Sequence, residues 1–333
     1  MPAPTPRRPF GPGVPLMPPL GLGSWNTWDR MPQDERVAVV LRAVEAGAAF
    51  FDVAGGDAGR HAERPTADIA FGAALCASGV AREDIYVCAR LRTGGRPRRS
   101  LRQQVKEALD RTGLDRFDAV VLAGVATGEV AGGRRGAGES HRRRTEVCVI
   151  VAEADDLVRE GLAGAWGVGG WAAGATLAAL DAARLDGRSP PVFAQLAYSI
   201  ARRADAEGEA YRELFEARGL GLQAVNVLEG GILAGNLMPT RRIASDAGGI
   251  RGRIVRAYPD VERVARDFGA TPAQLAIAFC LAYEPTVNVL VGASRLAQLE
   301  SNLAAVRLAR QHGTRVRAAL RGFQADGPGA GRA

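Results

Sequence analysis

The sequence predicts a single α/β domain folded as a closed (β/α)8 TIM barrel. Three observations lead there. Short, almost continuously apolar runs alternate with longer amphipathic stretches, the pattern of repeated βα units. Apolar runs without polar alternation belong to parallel strands buried on both faces. About eight such units fit the 333 residues, and a barrel of this kind needs roughly 250 residues plus insertions. The alternative is an open doubly wound sheet, against which stands the lack of a GxGxxG after an early strand.

The barrel is expected over residues 16–323. Residues 1–15, rich in Pro with Arg7 and Arg8, read as a flexible arm, and the Gly- and Ala-rich residues 324–333 as a flexible tail. Ala48–Val53 is the first clear strand, after a helix that opens with Pro32, Asp34 and Glu35, residues suited to the positive N-terminal end of a helix. Ile85–Ala89 is a strand and Leu101–Arg111 its helix, stopped by Gly113. Asp118–Leu122 follows as a strand. Gly124–Thr145, rich in Gly and Arg, reads as a long βα loop on the face where barrel enzymes place their sites. Glu146–Glu160 is the next helix. Leu162–Val168, Val192–Leu196 and Gly221–Val227 are strands. Thr271 caps a helix running through Leu281, with Pro272 at its first position. Asn288–Val291 is the last strand and Leu296–Val306 the helix after it.

Composition excludes several function classes. The 47% hydrophobic content suits a sizeable core, yet no apolar run approaches the roughly 20 residues that span a bilayer. The net charge of +7 comes almost wholly from arginine, Lys106 being the only lysine, and it is spread along the chain. Two clusters, Arg96–Arg99 and His141–Arg144, read as solvated loops, so no nucleic-acid partner is expected. The four cysteines (Cys76, Cys88, Cys148 and Cys280) show no metal-ligand spacing, and none demands an oxidising compartment. The expectation is a cytoplasmic protein with no metal, whose partner is a small molecule. Its oligomeric state is left open.

Three segments resemble the aldo-keto reductase family, and their order and spacing span nearly the whole chain. They are Leu20-Gly-Leu-Gly-Ser-Trp25, Gly230-Gly-Ile-Leu-Ala-Gly235, and Thr271-Pro-Ala-Gln-Leu-Ala-Ile-Ala continuing to Val291-Gly-Ala-Ser-Arg-Leu-Ala-Gln-Leu-Glu-Ser-Asn302. In the last of these a strand ending in Gly292-Ala-Ser294 feeds a helix, which presents free backbone N–H groups and a positive helix end. Arg295 adds a fork-shaped cation suited to phosphate. The resemblance implies NADP(H) there, with Ser294, Arg295, Gln298 and Asn302 on the adenosine phosphate and Gln195 on the carboxamide. The competing reading makes Ser294 a helix cap and Arg295 a surface charge.

The resemblance also implies an Asp, a Tyr, a Lys and a His at the barrel mouth: Tyr protonates the carbonyl oxygen, the Asp–Lys pair lowers its pKa, and His orients the substrate. This chain departs from that set. Asp52 is kept, but Asp57 stands at the Tyr position, Arg90 at the Lys position and Ala123 at the His position. After the fifth-strand candidate the run Gly167-Val-Gly-Gly170-Trp171 stands where the family usually has Ser-Asn. Tyr198 alone among the five tyrosines sits just past a strand's C-terminal end, where it could supply a proton.

Asp52, Asp57, His61, Glu63 and Arg90 are therefore expected near the mouth. An Arg beside Asp52 stays charged and stabilises an anion without passing protons, which leaves Asp57 or His61 to carry them. The competing reading makes His61 and Glu63 loop surface residues and Asp52–Arg90 a structural ion pair. Trp25, Trp28 and Trp171 are candidates for a pocket wall or for core packing. Three functions follow: a small-molecule enzyme of specialised metabolism doing non-redox acid–base chemistry (dehydration, isomerisation, elimination or cyclisation); an NADP(H)-dependent oxidoreductase with an atypical proton donor; and a non-catalytic nucleotide-binding or partner subunit.

Overall fold

A computed structural model describes residues 8–9, 16–25, 27–54, 66–94, 99–124, 137–238 and 249–326. Eight strands close into one barrel: β3 (Leu20–Gly23), β4 (Phe50–Ala54), β5 (Tyr86–Arg92), β6 (Ala119–Ala123), β7 (Trp166–Gly169), β8 (Phe193–Ala197), β9 (Gly221–Val225) and β10 (Thr286–Val291). Every neighbouring pair is parallel, and β10 returns to pair with β3. Before them, β1 (Arg8–Pro9) pairs antiparallel with β2 (Leu16–Met17). That ribbon places part of the expected arm in ordered structure.

Helices α1 (Gln33–Glu45), α2 (Ala67–Ser78), α3 (Leu101–Thr112), α4 (Ala137–Arg159), α5 (Ala173–Leu185), α6 (Glu209–Arg218), α7 (Ile250–Asp267), α8 (Pro272–Leu281) and α9 (Leu296–Ala319) pack outside. Two corrections concern helix length. α4 begins at Ala137, inside the stretch expected as loop, and α9 runs to Ala319 rather than ending at Val306. Gly313 lies within α9 at a close approach to the end of α8, where an added Cβ would stand 2.8 Å from the Ala282 side chain. A packing reason of that kind lies outside helix propensity, which alone stops the helix early. Thr271 caps α8 as expected, through a capping box completed by Gln274. The expected tail is tied down as far as the structure describes it. Ala325 N–H donates to the Ala201 carbonyl at 2.7 Å, and the Asp326 carboxylate accepts from the Arg203 and Ala204 amides.

Side chains alternate across each strand, so one set fills the barrel and the other meets the helices. The outer set joins the large core between sheet and helices, with Phe51 and Val53 among its members. The inner set includes Phe50, Cys88, Val121 and Phe193. Two residues beyond Phe50, Cys88 and Phe193, on the same inward phase, stand Asp52, Arg90 and Gln195. The site is thus built by the strand period itself. Among the described residues no helix is long and apolar enough to cross a membrane.

Candidate active site

Asp52 lies near the C-terminal end of β4, 5% exposed, and Arg90 lies one strand over on β5. No direct bond joins them among the contacts described. Gln195 on β8 reaches across the barrel and bridges the two: its Nε2 donates to Asp52 Oδ2 at 2.7 Å, and its Oε1 accepts from the Arg90 guanidinium. The predicted Asp52–Arg90 pair therefore takes the form of an amide-bridged triad. Burial pushes the Asp52 carboxyl above its ordinary value; the Arg90 charge and the Gln195 hydrogen bond pull it partly back. Burial, then the Asp52 charge, raise the Cys88 thiol well above its usual range, so Cys88 is an inert neighbour rather than a nucleophile.

Glycines on β7 give the triad its room. A Cβ on Gly169 would approach Val121 Cγ2 to 3.1 Å and Arg90 Nη1 to 3.4 Å, and one on Gly167 would meet the Phe193 ring at 2.6 Å. Gly170 then turns with φ at +66°, a conformation that favours glycine. Within the run read as a lost Ser-Asn position, Gly167 and Gly169 are thus crowded by the inward phenylalanine, valine and arginine, whereas at Gly170 only the backbone conformation favours glycine. Trp171 beyond it is buried, and its indole Nε1–H has no hydrogen-bond partner among the described residues.

Tyr198 does not join the triad. Its hydroxyl donates to Glu207 Oε1 at 2.5 Å and accepts from Arg317 Nη1 at 2.7 Å, and its ring packs on Phe279 and Tyr283. Burial raises its pKa far above the ordinary tyrosine range. The expectation that Tyr198 serves as a proton donor at the mouth is corrected: position past a strand end does not decide which way a side chain turns, and here an ion pair and two tilted aromatic contacts hold it. Asp57, His61 and Glu63 lie outside the described residues. Trp28 is core, edge-on to Phe51 and Phe71, whereas Trp25 is 44% exposed.

The predicted adenosine-phosphate residues gather along the first turns of α9, where the Ser294 donors are already in use. Gln298 Oε1 accepts from the Ser294 amide at 2.8 Å and from its hydroxyl at 3.1 Å. The Leu296 N–H donates to the carboxylate of Glu35 on α1. Arg295 is exposed at the cap position and Asn302 is buried on the same helix. The helix end thus fits an anion, because it already holds the protein's own carboxylate. An adenosine phosphate that took the Leu296 N–H would displace Glu35 from it. Gln195 is likewise occupied, since both its N–H donors and its oxygen are engaged within the protein.

Sequence reasoning missed three groups. Glu35 was read only as a first-turn acid for its own helix. Gln223 and Asn288 sit beneath Gln195 inside the barrel, and their signal was a polar side chain at the inward phase of an apolar strand. Glu229 is the third. Buried to 1% exposure with φ at +47°, it accepts from Arg202 and from Ser199, so it ties the start of the Gly230–Gly235 turn to the loop after β8. A separate cavity of 370 Å³, lined in part by Pro19, Leu281, His312 and Arg315, lies where Pro19 leads into β3, away from the end of β4 that carries Asp52.

Residues 19–321 match the sequence profile of the aldo/keto reductase family. Two solved structures are similar in fold, both aldo-keto reductases from Klebsiella pneumoniae. One, in complex with NADPH, is 18% identical with a TM-score of 0.68, over 96% of this chain and 95% of that one. The other, in complex with NADP and acetate, is 19% identical with a TM-score of 0.62, over 90% and 92%.

Proposed function

The chain belongs to the aldo/keto reductase family, and from that premise we propose that it is an enzyme acting on a small molecule by acid–base chemistry at Asp52 and Arg90, without net hydride transfer. Dehydration, isomerisation, elimination and cyclisation all suit such a centre. The observation that carries the reading is the amide-bridged triad: an arginine takes the lysine position, and none of the tyrosines is described in contact with Asp52. A guanidinium remains protonated at every working pH, so Arg90 binds and stabilises a developing oxyanion or enolate. Asp52 orients that guanidinium through Gln195. Proton transfer is assigned to Asp57 or His61, which follow β4 in sequence, His61 having the better-matched ordinary pKa. Specialised metabolism and a cytoplasmic location belong to the same proposal.

The test follows product and NADPH together over a panel of hydroxy-carbonyl and polyketide-like substrates. Product without NADPH loss, abolished by Arg90→Met, supports the proposal; stoichiometric NADPH consumption refutes it.

A second reading, an NADP(H)-dependent oxidoreductase with an atypical proton donor, is favoured by the nucleotides bound in the two similar structures. On that reading Ser294, Arg295, Gln298 and Asn302 hold the adenosine end, and the bound cofactor would supply a hydride. Thermal-shift titration with NADP+, NADPH and NAD+ decides it. Ligand at 100 times Kd adds about 2.7 kcal/mol of stability, and no shift at millimolar nucleotide overturns it.

A further inference from the structure

Gln195 is the top of a longer column. Its Nε2 also donates to Gln223 Oε1 at 2.8 Å; Gln223 Nε2 donates to Asn288 Oδ1 at 2.9 Å; and Asn288 Nδ2 donates to the Pro18 carbonyl at 2.7 Å. Asp52, Gln195, Gln223 and Asn288 are all 5% exposed or less, so water does not compete for these bonds. The three amides come from β8, β9 and β10, and Gln223 is in register with both Gln195 and Asn288.

The column has one allowed polarity. A peptide carbonyl only accepts, so Pro18 requires the NH2 of Asn288. That leaves the Asn288 oxygen for Gln223, and the Gln223 oxygen for Gln195. Gln195 must then turn its NH2 toward Asp52 and its oxygen toward Arg90. The two ionic groups demand the same orientation from the other end. Reversing any one amide sets acceptor against acceptor among buried side chains, orphaning groups on both sides.

We infer that Gln223 and Asn288 are positioning residues for the Asp52–Arg90 centre, fixing through Gln195 which end of its amide faces the carboxylate and which faces the guanidinium. The inference rests on the proposed role of that centre. Asp52 faces Arg90 and Cys88 on β5, Gly23 on β3 and Gln195 on β8. Arg90 and Cys88 are therefore the ionisable groups against it among the described residues, with Asp118 acting on Cys88.

The experiment needs neither substrate nor cofactor. The side-chain amide 15N–1H signals of Gln195, Gln223 and Asn288 are followed against pH beside the 13C signal of the Asp52 carboxyl. Slow exchange of all three amides is expected, with the Asn288 pair shifting at the Asp52 midpoint although three hydrogen bonds separate them. Asp52→Asn should remove that shift. Gln223→Met should silence Asn288, leave Gln195 responsive, and move the Asp52 midpoint up by about one pH unit, as partial loss of one charge-assisted hydrogen bond would. An Asn288 amide indifferent to the Asp52 titration overturns the inference, as does an unmoved Asp52 midpoint in Gln223→Met. If Gln223→Met does not fold, wild type against Asp52→Asn decides alone. Failure here leaves the proposed reaction standing, and full turnover by Asp52→Asn would sink that reaction while leaving the column intact.

Discussion

Replacing Arg90 by Met separates the charge balance of the triad from its shape. Methionine keeps most of the aliphatic stem, while two things are lost. Gln195 Oε1 loses the donor it now accepts from, and a buried acceptor left without a partner costs roughly 1–3 kcal/mol. Asp52, 5% exposed, also loses its compensating cation. Breaking a directly bonded buried pair costs roughly 3–5 kcal/mol, but here the two ions are joined through an amide, so only part of that applies. The sum is about 2–4 kcal/mol at pH 7.

Asp52→Asn behaves differently, because burial is the dominant influence on that carboxyl and makes its charge a liability. Asp52 has a folded pKa above its unfolded value. Its contribution to stability is therefore greatest below the unfolded pKa and is lost as pH rises through the folded one. Asn cannot ionise, so Asp52→Asn should match or exceed wild type at pH 7 and lose that advantage toward pH 4. Adding Asp52→Asn to Arg90→Met should recover more than half of the arginine deficit. Urea unfolding of the four proteins between pH 4.5 and 8 measures all of this. Arg90→Met costing under about 1 kcal/mol at pH 7, or costing the same across the whole range, refutes the electrostatic account of the triad.

Three further outcomes follow from the geometry. Glu35→Gln removes the carboxylate that holds the Leu296 N–H, so affinity for 2′,5′-ADP should rise by about 3–10-fold relative to 5′-AMP in calorimetric titration, since anions gain about 0.3–1 kcal/mol at helix N-termini and a repelling charge is lost as well. An unchanged ratio refutes the displacement. Tyr198→Phe breaks the bonds to Glu207 and Arg317 and should lower unfolding free energy by about 1–3 kcal/mol while turnover of the folded enzyme persists; loss of turnover without loss of stability would restore Tyr198 as a proton donor. Cys76 and Cys148 are exposed while Cys88 and Cys280 are buried, so a thiol reagent should modify two groups in native protein and four after denaturation. A third native group would show that the barrel interior opens.

The barrel was legible because its signal is repeated. Each apolar run gives weak evidence for a strand, but a succession of them at βα spacing admits few topologies. Boundaries were less legible wherever tertiary packing sets them, as at Gly313, which stays helical against Ala282. The site divides along the same line. Asp52, Arg90 and Gln195 fall together because each lies on a strand, and strand phase is readable from sequence. Tyr198 sits one residue past a strand, where phase no longer decides direction, and it packs on Phe279 and Tyr283. Glu35 acts on α9 from α1, a contact between the two ends of the chain that no local pattern contains.

The polar column also bears on why such an interior persists. A barrel centre can be filled by apolar side chains at lower desolvation cost, and three buried amides add no stability over a well-packed hydrocarbon core. They are tolerable only as a complete set: removing one strands its neighbours, so loss of Gln223 alone leaves Gln195 and Asn288 each with an unmet group. The set in turn is useful only if something at its end needs a fixed orientation. Asp52 and Arg90 stand at that end, while at the other the Pro18 carbonyl joins the column to the chain just before β3. A family centre that had merely decayed would be free to fill with Leu or Val. A carboxylate, a guanidinium and three matched amides held in one polarity are the arrangement that the proposed acid–base centre calls for.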